Sequence, residues 1–98
     1  MGATERVEKL MALTLSDFHR SLNALAPNLP LEQGQTEVSL QVDKEEVRIV
    51  YDPLETVTLG GLLALPRARV KLHLGELDKA QRKAFLTRFD KAFQRGGG

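Results

Sequence analysis

An alternating segment followed at once by a helical one places the strongest constraint on how this chain folds. Across residues 67–74 polar and apolar side chains alternate, which is the period-two pattern of a strand with one buried face. Residues 77–94 then change to a helical period, with the large apolar side chains on one side. A strand and a helix that are each apolar on one face can cover each other, so this pair predicts a helix packed on a sheet.

The C-terminal helix has a predicted start and a predicted buried face. Asp78 stands at the N-cap position and Gln81 three residues later, a pair that can satisfy two free backbone donors reciprocally. Phe85, Phe89 and Phe93 recur at every fourth position and therefore share one side of the helix. Packing alone asks for this spacing, so we predict that the three rings are core residues and not an aromatic cage for a ligand.

Residues 4–25 have two readings. Their large apolar side chains stay within an arc of about 140° at 100° per residue, which favours one long amphipathic helix. The alternative is a break near Thr14, because Thr14 is a suitable N-cap and Asp17 an acid in the first turn after it. A break would give two short helices, or an extended stretch across residues 12–15.

A β-hairpin is predicted next. Residues 36–42 and 47–51 both alternate between polar and apolar, and the polar residues 43–46 separate them as a turn. Pro53 should end the second strand, because proline cannot donate a hydrogen bond in a central ladder.

The segment 54–66 is apolar but lacks a clear period. A solvated linker would not carry four neighbouring leucines, because together they would form an adhesive patch. They therefore lie under the helices or meet another subunit. This predicted partner-binding set comprises Leu59, Leu62, Leu63 and Leu65.

Together these elements predict an α+β fold. The expected architecture is a two-layer sandwich, with a three-stranded antiparallel sheet and N-terminal and C-terminal helices in the order α-β-β-β-α. A chain of 98 residues is expected to form a single domain, 1–98, with residues 1–3 and 96–98 disordered. On the outer sheet face, Glu37 could pair with the bases of the last strand if the two strands are neighbours.

Composition excludes several classes of function. The chain has no cysteine, which removes disulfides, zinc–cysteine sites and thiol catalysis. No apolar run approaches the ~20 residues needed to cross a bilayer, and the start lacks the apolar core of a signal peptide. We expect a cytoplasmic protein without a membrane span.

Catalytic and metal-binding patterns are also missing from the sequence. His19 and His73 are the two natural near-neutral acid–base groups, and neither has a recognisable motif around it. No nucleophile elbow, phosphate loop or dinucleotide-binding turn is present. We therefore expect no enzyme activity, no cofactor and no metal, with surface roles for both histidines.

Charge is unevenly spread along the chain. Residues 1–65 hold five basic and ten acidic side chains, whereas residues 66–98 hold nine basic and three acidic ones. Such asymmetry is typical of a nucleic-acid surface, but the halves can equally neutralise each other on folding. The basic candidates lie on the last strand and at the start of the last helix: Arg67, Arg69, Lys71, Lys79, Arg82 and Lys83.

The predicted element order is similar to that of a double-stranded-RNA-binding domain. In that family a lysine-rich motif at the start of the last helix grips phosphates, and this chain has Lys79, Arg82 and Lys83 in that region. The resemblance implies RNA binding as an alternative function. Our leading hypothesis remains a small non-enzymatic protein-interaction or accessory domain, a homodimer or bound to another protein through the leucine-rich segment.

Overall fold

The computed structural model describes residues 6–61 and 63–94. Within them the elements are β1 (Arg6–Met11), α1 (Leu15–Leu25), β2 (Glu37–Val42), β3 (Glu45–Leu59), β4 (Leu63–His73) and α2 (Lys79–Gln94). The strands form one antiparallel sheet in the order β1-β4-β3-β2, and both helices pack on the same face of it. The expected α+β class is confirmed, but the described sheet has four strands and not three.

The core lies between the sheet and the two helices. Alternate strand residues point toward the helices, so Val70 and Leu72 of β4 are fully buried while Lys71 between them is not. Phe85, Phe89 and Phe93 are all buried, which confirms their predicted role. The remaining large side chains of the core are Leu13, Phe18, Leu22, Leu25, Val38, Val42, Val47, Ile49, Tyr51, Leu74 and Leu77.

Aromatic contacts join the two helices to each other and to the sheet. Phe89 and Phe93 stack on α2 with ring centroids 4.1 Å apart. Phe18 of α1 lies 6.0 Å from Phe93 and 5.2 Å from Tyr51 of β3. Offset and tilted aromatic pairs of this kind add specific geometry to the area that they bury.

The start of α2 confirms the predicted capping pair. The Gln81 backbone N–H donates to Asp78 Oδ1 at 2.8 Å, and the Asp78 N–H donates to Gln81 Oε1 at 2.8 Å. Two of the free donors at the helix start are thereby satisfied. The expected disorder of residues 1–3 and 96–98 falls outside the described residues.

The prediction of one helix across residues 4–25 is wrong. Residues 6–11 form β1, which pairs with β4 so that Val7 lies opposite Leu72. The alternative break at Thr14 is confirmed, because Thr14 and Asp17 form a reciprocal capping box with both bonds at 3.1 Å, but the segment before it is a strand and not the expected short helix. The described order is therefore β-α-β-β-β-α, and the element order on which the resemblance to RNA-binding domains was based is not observed.

The β2–β3 hairpin is confirmed, but its turn is shorter than the predicted 43–46. Val42 pairs with Glu45, so the loop contains only Asp43 and Lys44, with φ of 50° and 72°. Positive φ at both loop positions matches the right-handed twist of the flanking strands. Glu45 and Glu46 consequently belong to β3.

β3 continues through Pro53, contrary to prediction. The Tyr51 N–H donates to the Thr36 carbonyl at 2.7 Å, so it points toward β2. Backbone nitrogens two residues apart point to the same side of a strand, and Pro53 therefore directs its missing donor to that side as well. β2 begins at Glu37, opposite Val50, so Pro53 lies beyond it at an open edge where no hydrogen bond is lost.

Candidate protein-interaction site

Strands β3 and β4 extend beyond the rest of the sheet. β1 pairs with residues 68–73 of β4, and β2 pairs with residues 45–50 of β3. Residues 54–67, which we call the arm, therefore have no strand partner in the described chain except each other. The molecule is elongated accordingly, with principal extents of 47, 28 and 21 Å.

A bulge and a glycine turn shape the arm. Leu54 lies opposite Arg67 and Val57 opposite Leu65, so two residues of β3 face the single residue Pro66. Proline cannot donate to the ladder, and a bulge is one of the few places where a strand accommodates it. At the tip, Gly60 and Gly61 both have positive φ, 61° and 72°, which glycine adopts without steric cost.

Three of the four predicted leucines lie on this arm. Leu59 pairs with Leu63 near the tip, Leu65 pairs with Val57, and Leu62 lies outside the described residues. Leu65 is half-buried and does not pack against the core cluster. The leucines were predicted either to lie under the helices or to meet another subunit, and Leu65 does not lie under the helices.

The sheet face turned away from the helices, which we call the open face, carries alternating acids and bases. Arg69 Nε lies 3.6 Å from Glu8 Oε1, and Lys71 Nζ lies 3.6 Å from Asp52 Oδ2. The expected partner Glu37 is not a neighbour of β4, because β3 runs between β2 and β4. Glu37 instead lies 3.3 Å from Arg48 Nη1.

The six predicted nucleic-acid ligands do not form one surface. Three belong to β4 and follow the parity of the open face, and three belong to α2 in the helix layer on the opposite side. The first group is Arg67, Arg69 and Lys71, and the second is Lys79, Arg82 and Lys83. A phosphate backbone that follows one group therefore does not reach the other on the same face.

Leu10, Leu54 and Leu65 are apolar side chains on the open face and the base of the arm, and half-buried Val50 also lies on the open face. Leu10 of β1 is 59% exposed, opposite Arg69. Leu54 lies opposite Arg67 and is half-buried. Leu65 lies two residues before Arg67 in β4, and its side chain is therefore on the same side of the strand. We call Leu10, Leu54 and Leu65 the apolar patch. The sequence interpretation missed Leu10 because it assigned that residue to the buried stripe of a helix.

The two histidines have different surroundings. His19 Nε2 lies 2.7 Å from the Gln35 carbonyl, so it ties α1 to the segment that leads into β2. His73 lies on the open face, where partial burial and then the positive charges of Arg48 and Arg6 lower its pKa below the ordinary 6.5. The described residues contain no group of three or more His, Cys, Asp or Glu that could hold a metal ion.

None of the described helices combines the length and the apolar character that crossing a membrane requires. Compared with known proteins, the chain matches no family model, no curated protein and no solved structure. The geometry of the described residues is therefore the basis of the function proposed next.

Proposed function

We propose that this domain is a non-enzymatic protein-interaction module that binds another protein chain through the open-face side of its arm. The observation that carries the proposal is an arm that projects from the sheet and places half-buried leucines away from the core. Leu54 and Leu65 are half-buried, and neither packs against the core cluster. Leu10 of β1 is exposed on the same face, with Arg69 of β4 opposite it.

A two-stranded ribbon of this kind gains from being covered. Hairpins with two strands are marginally stable on their own, because they lack an apolar layer packed against one face. Leu54 and Leu65 lie near each other on one side of the arm, and neighbouring apolar side chains at a surface mark interaction sites for the same reason. A partner that supplies the missing layer over Leu54 and Leu65 would stabilise the arm and bury the patch in one step.

The charges around the patch indicate what the partner offers. Arg67 is exposed at the base of the arm and forms no ion pair with another described residue. Its neighbours Arg69 and Lys71 are each already close to a carboxylate. The best complement is therefore an apolar surface with an acidic group at its rim, placed to meet Arg67.

Nucleic-acid binding through the basic residues is the weaker candidate. The two basic groups lie on opposite layers, and two of the three bases on β4 each lie 3.6 Å from a carboxylate oxygen. Affinity for nucleic acid comes mainly from phosphate contacts and falls steeply with salt, whereas an apolar interface holds or strengthens. Gel-shift assays with duplex and single-stranded RNA and DNA at low salt test this candidate directly.

Site-specific crosslinking tests the arm. A photoreactive amino acid at position 65 should crosslink a partner in cells, whereas the same residue at position 64, on the other face of the arm, should give little. The crosslinked protein is then purified and its affinity measured with Leu65→Lys and with the matched control Ala64→Lys. We expect at least tenfold weaker binding for Leu65→Lys and a near wild-type value for Ala64→Lys. Equal effects of the two variants would contradict the assignment of the open-face side.

Self-association through the leucines, the predicted homodimer, is measured with the same variants. If the partner is a second copy that binds at the arm, Leu65→Lys abolishes the dimer in sedimentation and Ala64→Lys leaves it intact. Higher salt should leave this association unchanged or strengthen it.

A further inference from the structure

The two edges of the sheet are protected to different degrees. Exposed strand edges recruit other strands unless charges, prolines or bulges prevent it. β1 is protected, because Lys9 lies on the helix side of the strand and reaches Asp90 of α2 at 3.2 Å. β2, with the sequence Glu-Val-Ser-Leu-Gln-Val, has no lysine, no proline and no charge on its helix side.

Backbone groups of β2 are directed outward at alternate residues. Because Thr36 accepts a hydrogen bond from Tyr51, residues 36, 38 and 40 face β3, and Glu37, Ser39 and Gln41 face the outer edge. The Glu37 carbonyl confirms this direction, since it accepts a hydrogen bond from Gln35 Nε2 at 2.8 Å. No strand of the described chain pairs with Ser39 or Gln41 on that side.

An apolar groove runs beside this edge. It separates β2 from the segment 26–30 that follows α1, and Leu29 and Leu40 contribute half-buried side chains to it. Arg88 of α2 closes one end, where its Nη2 donates to the Leu25 carbonyl at 3.4 Å. A strand added to β2 would therefore gain main-chain hydrogen bonds and apolar contact together.

We propose that a second copy of this chain pairs with the outer edge of β2, antiparallel and about a two-fold axis through Ser39. Ser39 then lies opposite the partner's Ser39, and Glu37 lies opposite the partner's Gln41. On the helix side, Val38 lies opposite the partner's Leu40. The two four-stranded sheets become one continuous eight-stranded sheet, and no like charges meet across the junction.

The other central two-fold register is less favourable. Centring the axis on Leu40 would place Glu37 opposite the partner's Asp43, which sets two carboxylates against each other. The same construction at the β1 edge places Glu8 opposite Glu8 or Lys9 opposite Lys9 in its two central registers. A central two-fold register without charge conflict thus exists for β2 and not for β1, which favours a second copy of the chain as the partner of the β2 edge.

The expected affinity is modest. A junction of one short strand and a groove is smaller than the ~1,600 Å² of a standard interface, so we expect a dissociation constant on the order of 1–100 µM. The β2 edge is separate from the arm, and this inference does not depend on the function proposed above.

Charge substitution at the two-fold axis tests the proposal. Ser39 is exposed on the open face, so Ser39→Lys and Ser39→Glu should fold normally, as circular dichroism and urea titration would verify. Each variant alone places like charges opposite each other and should dimerise at least about tenfold more weakly than wild type. Mixed in equal amounts, the two variants should restore the dimer. This rescue requires residue 39 to face residue 39 of the other copy, which a merely damaged fold would not produce.

Sedimentation equilibrium from about 1 to 500 µM, a range that brackets the expected constant, gives the readout for all of these samples. A wild-type chain that stays monomeric throughout would overturn the proposal. So would Ser39 variants that dimerise like wild type while Leu65→Lys does not, because the second copy would then bind at the arm. If no dimer forms at β2, the proposal of a partner at the arm still stands, because crosslinking at position 65 tests that proposal separately.

Discussion

Gly75 provides a sharp test of how closely β4 approaches β3 where the chain turns toward α2. Its φ is +62°, and a Cβ built on it would lie 2.7 Å from the backbone carbonyl oxygen of Glu46. Gly34 also has positive φ, +83°, but a Cβ there would meet nothing within 4 Å. Alanine at the two sites therefore separates the effect of backbone conformation from the effect of a clash.

The expected magnitudes follow from those two facts. An alanine in the left-handed region is disfavoured by roughly 1–2 kcal/mol, and its stiffer unfolded chain offsets about 0.4–1 kcal/mol of this. Gly34→Ala should accordingly destabilise by about 1 kcal/mol. At position 75 the carbonyl of β3 has to move by several tenths of an ångström, which adds roughly 1–3 kcal/mol as overpacking does in cores. We expect Gly75→Ala to lose about 2–4 kcal/mol.

Urea titration followed by circular dichroism measures the stability of both variants. The slope of the unfolding free energy against urea concentration should match that of the wild type, which shows that unfolding exposes the same surface area. Losses of equal size would mean that Glu46 does not lie against Gly75, and the turn after β4 would then need a different path. A gain in stability at Gly34 would refute the assigned positive φ at that position.

Three further predictions concern the core and the open face. Phe89→Ala should destabilise the domain by roughly 3–5 kcal/mol, because Phe89 is fully buried. Lys83→Ala, on the exposed side of α2, should change stability by under ~0.5 kcal/mol. Near-equal losses of stability in urea titrations would mean that the buried and exposed faces of α2 are assigned wrongly. Tyr51→Phe should lose about 1 kcal/mol in the same assay, since the Tyr51 hydroxyl donates to the Leu13 carbonyl at 3.3 Å and that acceptor would be left unsatisfied. The lowered pKa of His73 means that the unfolded chain takes up a proton first as the pH falls below 6.5, so stability decreases with acidification. Comparing urea midpoints at pH 7 and 5.5, the decrease should be smaller in His73→Gln, and an unchanged pH slope would count against the lowered pKa.

The last helix could be predicted from the sequence because its signals are local. The Asp78–Gln81 cap lies at the start of the helix, and the phenylalanines recur at every fourth position along it. Both signals involve residues that are only one or two helical turns apart. The β2–β3 hairpin was predictable for the same reason, since its two strands are joined by a short turn. Where the partners are neighbours in the chain, a single sequence carries enough information to pair them.

β1 could not be predicted, because its partner is distant and its own pattern is ambiguous. In the strand, Lys9 occupies a position on the helix side and Leu10 a position on the open face, which reverses the expected alternation at two adjacent residues. A helical arc accommodates both residues without exception, so the local evidence favoured a helix. The interaction that decides its structure is the pairing of β1 with residues 68–73 of β4, which lie about sixty residues further along the chain.

The arm could not be predicted because of two prolines, one just before it and one within it. Pro53 and Pro66 each interrupt a strand pattern, and a single sequence gives no sign that one lies at an open edge and the other opposite a bulge. Three of the leucines predicted to bind a partner, Leu59, Leu63 and Leu65, lie on the arm, and their part in binding stays a prediction. The groove beside β2 had no sequence signal, because it forms only when the segment after α1 lies along a strand edge.

The uneven charge of the two halves acquires a physical meaning on the open face. Acids from the first half meet bases from the second: Glu8 of β1 lies beside Arg69, and Asp52 of β3 lies beside Lys71. Exposed pairs of this kind stabilise by about 0–1 kcal/mol each, so their main effect is on the field around the protein and less on the fold. Neutralised bases attract a polyanion weakly, whereas the apolar side chains between them keep their full tendency to leave water. These pairs reduce the basic character of the open face without removing it, since Arg67 stays outside them, and this balance favours the proposed protein partner over a nucleic acid.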